Sequence, residues 1–129
     1  MKAAHLFGEK YFNIAHDSVE FWKNQYGCSI PANRQGVSAA EKDPCASAIA
    51  CLAMMGLAQV VPNMEWVKEH ALHQLLAIIE SPYFSNGIFV GHCYHVPHNG
   101  EVCVESPCGI FFLLAALMVV DAQIDPLLF

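Results

Sequence analysis

The sequence predicts an all-α chain of antiparallel helical hairpins, on three observations. Apolar residues recur at steps of three and four along several stretches, the spacing that gathers them on one helix face. Two cap-plus-proline starts, Asp43-Pro44 and Ser106-Pro107, each introduce an apolar run. No stretch carries the sustained period-two alternation that would give a convincing sheet.

The first helix is expected from about His5 to Tyr26, with Tyr11, Ala15, Val19, Trp22 and Tyr26 on one face. Gly27 stands where a C-terminal cap with positive φ belongs. Cys28 to Lys42, with Pro31, Asn33 and Gly36 and little periodicity, reads as a loop. Asp43 then caps a second helix, and Pro44 occupies a first-turn position whose N–H would lack a helical partner anyway. That helix runs to about Val60, and its small residues Ala46, Ser47, Ala48, Ala50 and Ala53 permit close approach of a neighbour. Pro62-Asn63 ends it and starts a third, from Asn63 to about Glu80. This third helix has Val67, Ala71, Leu75 and Ile78 on one face, with Trp66, His70 and His73 flanking them. Ser81-Pro82 stops it. A loop from Tyr83 to Glu105 follows, containing the β-prone run Ile88-Phe89-Val90. The last helix opens at Ser106-Pro107 and ends near Asp121, and the tail IDPLLF is apolar enough to dock.

At 129 residues the chain is expected to form one helical domain, residues 1–129, long enough to bury a core. Hydrophobic residues make up 55% and charged residues 14%, with a mean hydropathy of +0.36, a balance that excludes disorder. The net charge is −6 and the 6 Lys+Arg form no basic cluster, which excludes nucleic acid as a partner recognised through its phosphates. The longest apolar run, Ile110 to Val120, is too short to cross a membrane. The opening MKAAHLFGEKYF is broken by Gly8, Glu9 and Lys10 and does not read as a signal peptide, so a cytoplasmic location is expected. Six cysteines are an even number, but in that location reduced, partly buried thiols are expected rather than disulfides. Cys45 and Cys51 lie in an Ala-rich stretch where cysteine serves as a small apolar residue.

Three stretches carry a family resemblance covering about Tyr11 to Val120. AHDSVEFWKNQYG, from Ala15, is similar to the helix that precedes the "wDfdaP" loop of the unsaturated glucuronyl hydrolases. In this chain that loop reads IPANRQGVSAAEK. DPCASAIACLAMMGL resembles their "D-T/S-S-A-A-A-I-A-A-x-x-L-L-E-L", with Asp43, Ala46, Ala48, Ile49, Ala50 and Leu57 in place. GIFVGHCYHVPHNGEV looks like "G-L-L-x-H-G-x-Y-H-x-P-x-x-x-G-V", with Gly87, Tyr94, His95, Pro97 and Gly100 in place. The next motif, "x-W-G-D-Y-F-F-L-E-A-L", keeps Gly109, Phe112, Leu114, Ala116 and Leu117. It departs at Cys108 for Trp, Ile110 for Asp, Phe111 for Tyr and Ala115 for Glu.

The resemblance implies a glycoside hydrolase-like fragment, the last helices of an α/α toroid, here a partial toroid or incomplete (α/α)6 barrel. In that family an Asp acts as general acid and base, adding water across the C4–C5 double bond of an unsaturated uronic acid. The hemiketal then opens and releases the partner sugar. The Asp-bearing part of the ring has no counterpart here, so no catalytic residue is assigned and the chain is expected to be inactive alone. It would be a truncated product, a helical interaction module, or one piece of a split enzyme. Its implied partners are an unsaturated uronic-acid oligosaccharide and either a homo-oligomer or the missing N-terminal half.

Substrate-binding candidates are Tyr94, His95, Asp43 and Ser106. A phenol and an imidazole offer donors, acceptors and flat faces to a sugar ring. Asp43 is the one carboxylate in a matched motif, although capping already employs it. Ser106 could meet an anion at a helix N-terminus, although capping explains it too. His92, His95 and His98, with Cys93, Cys103 and Cys108 nearby, have zinc-ligand chemistry but match no established finger spacing. No metal and no cofactor is therefore expected.

Overall fold

The computed structural model describes residues 8–34, 36, 41–96 and 100–129. It is mostly helical. We number the helices α1 (Glu9–Tyr26), α2 (Pro44–Val60), α3 (Glu65–Ile79) and α4 (Pro107–Val120), and a 3-10 turn spans Pro126–Leu128. The expected start of the first helix at His5 lies outside the described residues.

The capping chemistry sets the helix ends. Asp43 accepts a hydrogen bond from the Ala46 N–H at 3.0 Å, and Ser106 accepts one from the Gly109 N–H at 3.0 Å. At the far end of α1, the Gly27 N–H donates to the Lys23 carbonyl at 2.8 Å with Gly27 at φ 56, as the left-handed half of the map allows glycine. α3 begins two residues later than expected, because Asn63 sits at φ 60 in the turn rather than in the helix.

α2 lies between α3 and α4 and buries Ala48, Cys51, Leu52, Met54, Met55 and Leu57. The expected α3 stripe of Val67, Ala71, Leu75 and Ile78 is fully in this core, with Leu113, Ala115 and Ala116 of α4. The tail docks: Ile124 and Phe129 pack against the core and Pro126 is buried. α1 is held more loosely. Val19 packs on the core, Trp22 and Tyr26 are half-buried, and Tyr11 stays exposed.

Two expectations are corrected. The segment after α3 is not irregular: it forms two antiparallel hairpins, β1 (Phe84–Ser85) with β2 (Ile88–Phe89), and β3 (His92–Val96) with β4 (Gly100–Val104). Asn86 and Gly87, both at positive φ, make the first turn, the backbone that a two-residue hairpin requires. Strands of two to five residues are too short to show a period in the sequence. The thiols are also not all reduced. Cys93 and Cys103 stand opposite in the β3–β4 register and form a disulfide. Their Cα atoms are 4.1 Å apart, inside the limit of about 7 Å for bridging without backbone movement. Cys28, Cys45, Cys51 and Cys108 remain free. Among the described residues no helix is long and apolar enough to cross a membrane.

Candidate functional site

The expected site residues gather at the end of the molecule where α2 and α4 begin and the hairpins attach. Phe89, 3% exposed, is the wedge that assembles this end. Its ring passes so close to Gly91 that an added methyl would lie 2.3 Å away, and it meets the Gly109 position at 3.4 Å. Gly91 in turn accepts through its carbonyl from the Cys45 N–H at 3.0 Å. The hairpin segment, the start of α2 and the start of α4 are thereby fixed to one another. The loop before α2 joins them: Pro31 accepts from the Asp43 N–H at 2.8 Å, and Asn33 Nδ2 donates to the Cys93 carbonyl at 3.4 Å.

Within this frame the four candidates separate. Asp43 is half-buried and occupied as the α2 cap, and Ser106 is buried and occupied as the α4 cap. The two caps belong to neighbouring helix starts, since the Cys45 thiol beside Asp43 touches the Cys108 thiol beside Ser106. Burial first, then Cys108 and the Asp43 carboxylate, pushes the Cys45 thiol up to about 12. Tyr94 is 50% exposed on the outer face of the β3–β4 hairpin, opposite Val102, and its ring lies 4.6 Å from that of His92 at 34°. His95 pairs through its backbone with Glu101, and its side chain lies outside the description. Tyr94, backed by the half-buried His92 ring, therefore presents an exposed aromatic face of the kind that stacks on a sugar. Asp43 and Ser106 each serve as a helix cap. Replacing Asp43 by Asn should change stability by only a few tenths of a kcal/mol, whereas Ala should cost about 1 kcal/mol, measured by urea unfolding. Equal large losses for both would instead require a role for the charge.

Among the described residues no group of three His, Cys, Asp or Glu side chains could hold a metal ion, and His98 lies outside them. Cys93 and Cys103 are not available as thiolate ligands while joined.

Two features had no signal in the sequence. One is an open groove of about 720 Å³ between the C-terminal parts of α2 and α4 and the start of α3, floored by Met55, Leu72 and Val119 and rimmed by Glu65 and Lys68. The other ties α1 to α3. Trp22 Nε1 donates to Gln74 Oε1 at 3.0 Å, Gln74 Nε2 donates to the Ser29 carbonyl at 3.4 Å, and Cys28 Sγ lies 3.7 Å from His70 Nδ1. These partners are separated by 42 to 52 residues, which no local spacing announces. Burial, and then the nearby Lys23 and His73, holds the His70 ring below the usual histidine range. Lys23 itself sits over the Trp66 ring at 4.6 Å. No family model matches this chain, and neither the curated proteins nor the solved structures contain a match to it.

Proposed function

We propose that this chain is a non-catalytic helical interaction module, a section of α/α-toroid type related to the unsaturated glucuronyl hydrolases, that works by docking the outer face of α4 on a second copy of itself. The observation that carries this reading is α4. From Pro107 to Val120 it has no charged side chain, yet Ile110, Phe111 and Leu114 stand 43%, 51% and 54% exposed. Three large apolar residues at such spacing form a continuous strip, and a strip without charged residues favours burial against a partner.

The departures from the family motif fall on the same helix. Ile110 and Phe111, which replace Asp and Tyr, are on the exposed strip, and Ala115, which replaces Glu, is fully packed in the core. A carboxylate at Ala115 would be buried, at a cost that only a paired partner offsets. The helix thus favours association where the family pattern has polar groups. Tyr94 remains a candidate contact for an unsaturated uronic-acid oligosaccharide, with the His92 ring beside it in the stead of His95, and with no acid–base carboxylate placed beside them among the described contacts.

The test has two arms. Sedimentation equilibrium across a concentration series should give a dimer mass for the native chain. Leu114→Lys should weaken that association roughly a hundredfold, because an unpaired charge would be buried at the contact. A monomer at all concentrations would refute docking by self-association. In the second arm, an unsaturated uronyl disaccharide should keep its ultraviolet absorbance in the presence of the chain while a family enzyme consumes it. Turnover would refute the non-catalytic reading.

A further inference from the structure

Cys28 is exposed, at the end of the turn that follows α1. Its Sγ lies 3.7 Å from Nδ1 of His70, whose residue is only 7% exposed. The ring's other nitrogen, Nε2, is buried and has no hydrogen-bond partner. The tautomer with its proton on Nε2 turns the Nδ1 lone pair to the thiol, and this is the form in which the ring can act as a base.

The pair is also held in position. Gln74 lies one turn along α3 from His70 and is fully buried. It accepts from Trp22 on α1 and donates to the carbonyl of Ser29, the residue directly after Cys28. The Ser29 N–H closes the turn onto the Tyr26 carbonyl at 3.0 Å. The backbone carrying the thiol is therefore pinned to the same helix face that carries the imidazole.

We propose that Cys28 is a reactive thiol, with His70 as its base, that is modified by exchange with low-molecular-weight disulfides. In the reaction the Cys28 proton passes to His70 Nδ1 and Sγ attacks one sulfur of the disulfide. The S–S bond of the reagent breaks, and its departing thiolate takes the proton back from the imidazole. The products are a mixed disulfide on Cys28 and one free thiol, so no further oxidant is needed. The other free thiols lack this arrangement. Cys51 is buried, donates to the Ala71 carbonyl at 3.3 Å, and is pushed up to about 12 by burial. Cys45 is buried against Cys108. Cys108 is exposed, and its neighbour is that thiol rather than an imidazole.

The pH dependence follows from the groups around His70, which are Cys28 and Lys23 from the α1 side and His73 on its own helix. Burial, Lys23 and His73 all oppose its protonation, so at any given pH the ring is more often the neutral base than an ordinary histidine is. The advantage of Cys28 is lost as pH falls through the lowered His70 value, and it narrows at high pH, where thiols ionise unaided.

The experiment is incubation of the native chain with oxidised glutathione from pH 5 to 9, with mixed disulfides mapped by peptide mass spectrometry. Cys28 should be modified at least about tenfold faster than Cys108 near pH 6.5 to 7. His70→Gln should bring the two rates together, while Cys51, left unmodified, reports an intact core. Equal rates for Cys28 and Cys108 in the native chain, or a ratio independent of pH, would overturn the proposal even if the variant failed to fold.

Discussion

Replacing Phe89 by alanine should destabilise the fold by about 3–5 kcal/mol, read as a shift of the urea midpoint with an unchanged slope. Two separate costs combine. The buried ring loses its transfer from water, and the cavity left behind is bounded by glycines, which have no side chains with which to collapse into it. Gly91 has no side chain because the Phe89 ring occupies that place, and Gly109 borders the same ring through the start of α4. The companion change Gly91→Ala would force a methyl to within 2.3 Å of the ring and should cost about 1–3 kcal/mol through overpacking. Combining Phe89→Leu with Gly91→Ala should recover part of that loss, since the smaller side chain makes room for the methyl. Full independence of the two sites would mean that the wedge does not connect the hairpin to the helices.

Wherever an element is specified by neighbours within a few residues, the sequence predicts it closely. The Asp43 and Ser106 caps and the apolar stripe of α3 depend on contacts three or four residues away, and each is found as expected; of the small residues of α2, Ser47 and Ala48 are buried while Ala53 is exposed. The hairpins were legible in one place only, the β-prone run Ile88-Phe89-Val90, because β1 and β2 are two residues each. α1 shows the opposite difficulty. Its stripe is regular, but what it packs against, Gln74 and Trp66 of α3, is decided by tertiary packing across about fifty residues. The candidate site follows the same division. Asp43 and Ser106 stand at helix starts as the caps the sequence predicts. The pairing of Cys28 with His70 is not predicted, since neither residue belongs to a recognisable motif.

The second large effect concerns the disulfide. Opening Cys93–Cys103, by reduction or by Cys93→Ser with Cys103→Ser, should cost about 3 kcal/mol. That is the loop-closure entropy expected for cysteines 10 residues apart. The loss should be uneven. The bridge joins the two strands of one hairpin, so the reduced chain should lose order at Tyr94 and Val102, while α2, α3 and α4 keep their mutual core. Hydrogen exchange would show this as faster exchange in His92–Val104 with protection retained at Val67, Ala71 and Leu75. Thiol titration of protein purified without reductant should find four free groups, rising to six after reduction. Six at the outset would mean that the strands pair without the bridge. Their stability would then rest on the contacts to the Pro31–Asp43 segment, where Asn33 donates to the Cys93 carbonyl. Asn33→Ala would in that case become the more damaging change. With the bridge closed it should cost no more than about 1 kcal/mol, because one part-buried hydrogen bond of 3.4 Å is small beside a covalent constraint.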